Sequence, residues 1–492
     1  MTPEDPSESG PVAAGGAKDS NRDGDPRRRL VFLMLMCCVQ LLFSSSMTVM
    51  TVSLPGIGAD FQMAKESLQW LITGYGLAFG GLLLVGGRVA DYAGRRTTLV
   101  VGLIIFLAGG LACLVSVNGL MLIVGRAVQG IGAAFASPAA LSLLTSTFRQ
   151  TRERGRALGA WAAIGAAGLI LGNVGGGLMS SLASWRYSFL PLLLIALTIV
   201  VVIPVQVPRG ERNTTRRLGI LSGALLSLSI GCAILGLSQV STLGIESWRT
   251  WLPLVATVAG AALFALSQRI TGTALIPFHL FRSRGALGFA FVALSTGTTM
   301  CIYYFSSFFF QDVRGMTGSQ AGLAFGVWAA TIVAGAQLAS WLLPRAGARA
   351  LLTSGFALVS VGAITYAASL SRTTPFVPWT MSAFILLGVG AGCAGVASTV
   401  TAFSSVPRGD QGLAAGVLNS AQQCGGILAL SGYIAVASAH TSALRRAGVG
   451  DIPSDIAGIR HAVYWAATVA ALVVPLALLG LPRRPDVNRL RA

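Results

Sequence analysis

Fourteen times along the chain, about twenty or more residues pass with almost no charge: near 31–54, 67–86, 97–115, 119–147, 157–182, 187–206, 218–238, 250–268, 285–310, 318–341, 350–370, 377–402, 412–438 and 461–481. A helix needs about 20 apolar residues to cross the hydrocarbon of a bilayer, because each backbone polar group must be satisfied within the segment. Fourteen such runs predict an all-α integral membrane protein and exclude a soluble multidomain enzyme. Only 11% of the residues are charged, against roughly 25% in soluble domains. The even count puts both termini on one side.

A net charge of +18 is compatible with nucleic-acid binding only if the basic residues gather on a few soluble elements. Here the 35 Lys and Arg are scattered in short bursts between apolar runs, among them Arg27 to Arg29, Arg95, Arg96, and the stretches 149–156, 209–217 and 483–491. These bursts occupy alternate loops, the positive-inside pattern. The reading is a multi-pass protein of the cell (inner) membrane with cytoplasmic termini, its partners a lipid bilayer and a small-molecule substrate, with no nucleic acid. The seven cysteines all lie in apolar runs without metal-ligand spacing, so free thiols, no metal and no cofactor are expected. Residues 1–29, rich in Pro, Gly, Ser, Asp and Arg, read as a disordered tail.

An internal repeat organises the rest. Asp91-Tyr-Ala-Gly94-Arg95-Arg96 and Pro344-Arg-Ala-Gly347-Ala-Arg349 share Gly, Arg and a downstream Gly (Gly102, Gly355) at a constant offset of 253. The predicted organisation is a six-helix half over 30–206, a connector with two extra helices over 207–283, a second six-helix half over 284–482, and a tail over 483–492.

Three motifs carry function. Gly87-Arg-Val-Ala-Asp91-Tyr-Ala-Gly94-Arg95-Arg96 sits in a short turn between the second and third runs, where glycines permit tight reversal and the carboxylate can pair with guanidinium groups or a helix N-terminus. Gly125-Arg126-Ala-Val-Gln129-Gly130 puts an arginine inside a membrane helix, which costs at least a few kcal/mol and calls for a polar environment. Gly168, Gly172, Asn173 and Gly176 lie at spacings that let two helices approach backbone to backbone.

Together with Leu68-Gln69-Trp70, Trp185-Arg186, Gln311-Asp312-Val-Arg-Gly315 and the glycines from 412 to 426, these motifs resemble the major facilitator superfamily, and most closely its 14-helix drug:proton antiporters. The resemblance implies export of drug-like or antibiotic compounds in exchange for protons, by rigid-body rocking of the halves around a cavity near the midplane. It assigns Gly87, Asp91, Gly94, Arg95 and Arg96 to a cytoplasmic gating loop, Arg126, Gln129 and Gly130 to the cavity or coupling path, and Gly168 to Gly176 to a helix contact.

The chain departs from that family in two places. Asn173 stands where the family has proline, which removes the expected bend. Ser46, in Ser45-Ser46-Met-Thr48-Val-Met-Thr51, stands where the family has a membrane aspartate, and no carboxylate lies in the middle of any apolar run. The polar residues left inside are neutral: Ser46 and Thr48 on the first run, and Asn419, Gln422 and Gln423 on the thirteenth. Each stripe is either cavity lining or interhelical hydrogen bonding. An uptake or non-proton carrier of a neutral or acidic solute is the alternative, and a membrane-embedded enzyme a remote one, since no His and carboxylate share one depth.

Overall fold

The structure is a computed structural model that describes residues 26–148, 150–207, 220–243, 246–270, 285–371, 373–404, 406 and 411–481. The tails and most of the Arg-rich connector lie outside the described residues.

Thirteen α-helices account for nearly all of it: α1 (Pro26–Phe61), α2 (Lys65–Ala93), α3 (Arg95–Leu114), α4 (Gly119–Thr147), α5 (Thr151–Leu182), α6 (Leu190–Gln206), α7 (Ile220–Leu243), α8 (Trp248–Ile270), α9 (Gly285–Phe308), α10 (Gly318–Ser369), α11 (Ser382–Phe403), α12 (Gln411–Arg446) and α13 (Asp451–Gly480). Among the described residues twelve are long and apolar enough to cross a membrane, while the apolar part of α7, Leu221–Leu237, is shorter. At 1.5 Å per residue the 52 residues of α10 would run more than twice the thickness of a bilayer's hydrocarbon core. A break at Gly347 (φ 76°) divides them into two arms.

Gly347 has a counterpart. Gly94 (φ 94°) turns the chain between α2 and α3, in a conformation that residues with a Cβ rarely adopt. The downstream glycines match as well. A Cβ on Gly102 would lie 2.7 Å from the Ala136 nitrogen of α4, and one on Gly355 would lie 2.7 Å from the Ala394 nitrogen of α11. The same close helix crossing is thus built twice.

Phe43, Leu103, Phe106 and Ile199 belong to one apolar core shared by α1, α3, α4 and α6. Phe325, Trp328, Phe356 and Phe384 belong to a second, which spreads over α9 to α13 and continues into Leu54, Ile57 and Leu68 at one end of α1 and α2. The two bundles are therefore welded at the end away from Gly94 and Gly347, and a smaller buried cluster joins Leu84 and Val85 of α2 to Phe289 of α9 and Val417 of α12 nearer the Gly94 end. Helix α7 packs on α8, α2 and α12, so it touches both bundles.

Candidate functional site

Arg126 is 1% exposed and Gln129 fully buried. The guanidinium makes four hydrogen bonds: Nε to the Leu71 carbonyl (3.1 Å), Nη1 to Ser46 Oγ (3.1 Å) and to Gln129 Oε1 (2.9 Å), and Nη2 to the Ser46 carbonyl (3.1 Å). Its carbon stands 4.4 Å from the Tyr75 ring centroid, a cation–π contact. All of these partners are neutral. Ser46, at the position where the family pattern has an aspartate, offers this cation a neutral oxygen as acceptor. The network ties α1, α2 and α4 together in the interior of the first bundle, and Gly130 lets α4 come against the Tyr75 backbone of α2.

Helix α5 uses two faces. Gly168, Gly172 and Gly176 lie against α1, where added Cβ atoms would crowd Ser44, Ser45 and Val49. Ser45 Oγ donates to the Gly168 carbonyl (2.9 Å) and Thr48 Oγ1 to the Leu169 carbonyl (3.2 Å), so these two hydroxyls serve packing. The other face meets the second bundle: a Cβ on Gly322 of α10 would lie 2.6 Å from the Asn173 carbonyl, and Gly177 abuts Gly318. Asn173 Nδ2 donates to the Leu169 carbonyl (2.9 Å), and α5 runs from Thr151 to Leu182 as one helix, with a donor where proline would have none.

The closure between bundles has a covalent cause that sequence reading did not use. Pro55 lies inside α1 and has no N–H, so the Thr51 carbonyl one turn earlier loses its helical donor. Ser307 Oγ of α9 supplies one instead (2.6 Å), and Gln311 Nε2 reaches the Val52 carbonyl (3.0 Å). On the other side, Ser420 Oγ of α12 donates to the Gly80 carbonyl of α2 (2.8 Å).

Of the predicted α12 stripe, Gln423 is buried with Nε2 3.6 Å from Met47 Sδ, whereas Asn419 and Gln422 are exposed and Asn419 bonds its own helix at Ala415. The structure does not gather these three with Arg126. Around the α2–α3 turn, Nη1 of Arg95, the first residue of α3, lies 3.4 Å from the Ser142 carbonyl of α4, and Gly87, still within α2 where the sequence places it in the turn, faces Pro138. Both contacts stay within the first bundle. No three His, Cys, Asp or Glu side chains among the described residues form a metal-binding group.

The family model of the Major Facilitator Superfamily matches residues 36–430. The chain belongs to the major facilitator superfamily. This facilitator is 31% identical to the cephamycin export protein CmcT of Amycolatopsis lactamdurans, over 87% of this chain and 89% of that one. It is 32% identical to the puromycin resistance protein pur8 of Streptomyces alboniger, with 96% of each covered. A crystal structure of an auto-inhibited peptide transporter of the POT family shares its fold, with a TM-score of 0.69 at 18% identity over 94% of this chain and 98% of that one. The facilitator is a multi-pass membrane transporter, not an enzyme.

Proposed function

We propose that this transporter exports a drug-like or antibiotic small molecule by alternating access, with protons as the coupling ion, and that it favours neutral or weakly acidic aromatic compounds over permanent cations. Relatives named for cephamycin export and puromycin resistance support the export reading. Arg126, held by neutral partners alone, carries the charge preference. A permanent cation entering a dry cavity needs a counter-charge, and the first bundle holds an uncompensated positive one. Carriage without proton coupling is the second reading, favoured by Ser46. Proteoliposomes under an imposed pH gradient, loaded with one cationic and one anionic compound of similar size, test both. Gradient-driven export of the anion is expected. Strong export of the cation alone would overturn the charge preference, and anion movement indifferent to the gradient would select the uncoupled reading.

In the same proposal the chain crosses the cell membrane fourteen times, with both termini and the 207–217 connector in the cytoplasm. Cysteines placed singly at Ser9 and Asp486, in a variant lacking the native seven, are expected to resist an impermeant thiol reagent in intact cells. Labelling of either would reverse the orientation or change the count.

Asp91 is assigned to the cytoplasmic gate. Asp91→Asn keeps the side chain's size and removes its charge, which should weaken its pairing by about 1–3 kcal/mol where partly desolvated. Export is expected to fall several-fold at normal membrane expression. Undiminished export would leave the loop as a marker of topology only.

A further inference from the structure

We infer that the welded end of the transporter carries a second ligand site, which takes an aromatic organic anion and holds the two bundles together around it. A cavity of about 340 Å³ opens there, of a size for a small drug-like ligand. Its walls come from both bundles: Lys65 at the start of α2 on one side, and Tyr304 and Phe308 of α9, Thr441 and Arg445 of α12 and Asp455 of α13 on the other.

The charged rim is a chain of ion pairs across the boundary. Lys65 Nζ lies 2.7 Å from Asp455 Oδ2, and Arg445 Nη2 lies 2.9 Å from Asp455 Oδ1. Arg445 Nε also reaches Asp451 at 3.2 Å. The Tyr304 hydroxyl donates to the Lys65 carbonyl and so fixes the backbone that presents the ammonium. That ammonium stands 5.6 Å from the Phe308 ring centroid. Lys65 is one of only two lysines in a chain of 35 basic residues.

Cations outnumber carboxylates in this wall, two to one. An ammonium has three N–H and a guanidinium five, and the one lining carboxylate engages one from each cation. Counted over the wider neighbourhood the charge is not positive, since Asp312 lies within electrostatic reach of Lys65 and Asp451 pairs with Arg445. Neither of these carboxylates lines the cavity, however, and Asp451 is 82% exposed and screened by water. Selection therefore comes from the lining itself, which sets two cations, Lys65 and Arg445, against the single carboxylate of Asp455. A carboxylate or sulfonate can pair with Lys65 and Arg445 while its ring lies along Tyr304 and Phe308.

Occupancy has a conformational consequence. The cavity exists only while Lys65 stands against α9, α12 and α13, so a ligand that fills it stabilises this closed end by its differential affinity. In an exporter whose closed end faces outward, an anion outside the cell would hold the transporter in this state and slow its own export. Only that consequence rests on the export reading; the binding does not.

The test is made on purified full-length protein in detergent, with naphthalene-2-sulfonate and a trimethylammonium naphthalene of matched size as probes. The sulfonate is expected to raise the melting temperature in a saturable way and the cation to leave it unchanged. Lys65→Met should weaken sulfonate binding at least tenfold, and Lys65→Arg should retain it. Location is read separately: in a variant lacking the native cysteines, Thr441→Cys should be protected from a thiol reagent by the sulfonate and not by the cation. Equal binding of the two probes, sulfonate affinity indifferent to Lys65→Met, or no protection at Thr441→Cys would each overturn the site, whatever the chain is found to transport.

Discussion

Arg126→Met is expected to abolish export and to lower the melting temperature of the purified transporter by many degrees. The guanidinium holds four hydrogen bonds to Leu71, Ser46 and Gln129, and bonds from charged donors contribute about 1.5–3 kcal/mol each. Keeping an arginine in a membrane helix costs only about 2.5–3.5 kcal/mol on insertion scales, so the bonds outweigh the burial. Methionine fills most of the volume, yet it takes the charged donor away from Ser46 Oγ and Gln129 Oε1. Each orphaned group adds about 1–3 kcal/mol. Arg126→Lys should fall between, because an ammonium keeps the charge but cannot span α1 and α2 with a planar fork. Thermal melts in detergent and export from proteoliposomes measure the two effects. A Met variant that melts and exports like the parent would show that the network is incidental to both.

Much of this was legible in the sequence, for reasons that differ from part to part. Membrane helices show through because hydropathy is a property of composition over twenty residues and needs no partner. Even so, α13 begins at Asp451, ten residues before its apolar run. Its first turns are charged, and the structure spends those charges on partners: Asp455 on Lys65, and Arg460 on the Ala367 and Leu370 carbonyls. The motif arginine and its missing carboxylate were readable, but two of its acceptors are backbone carbonyls, which no residue type announces. The α12 stripe divides between buried and exposed positions for a geometric reason. Gln422 and Gln423 are adjacent, hence about 100° apart around the helix, and the boundary between buried and exposed falls between them. Lys65 and Asp455 read singly as loop charges, and nothing local joins residues 390 apart. One signal was available and unused: a proline that a helix runs through orphans the carbonyl four residues earlier, and Pro55, directly after the first apolar run, does so at a contact between the bundles.

Ser46→Asp tests what the departure on α1 does for substrate choice. Ser46 Oγ already lies 3.1 Å from Arg126 Nη1, so a carboxylate there would form a charge-assisted pair with little rearrangement. The pair would be neutral overall, and a cation in the cavity would no longer meet an uncompensated guanidinium. At about 8 Å and an effective dielectric near 20, that repulsion is worth about 2 kcal/mol, or roughly thirtyfold in relative affinity. The same removal strips an anion of an equal attraction. The ratio of cation to anion export is therefore expected to rise at least tenfold in Ser46→Asp, and Ser46→Asn, which adds bulk without charge, should leave it near that of the parent. Matched cationic and anionic compounds in proteoliposomes give the ratio directly. An unchanged ratio in the Asp variant, at normal expression and melting temperature, would mean that the charge of Arg126 is not felt by the substrate and that selectivity is set elsewhere along the path.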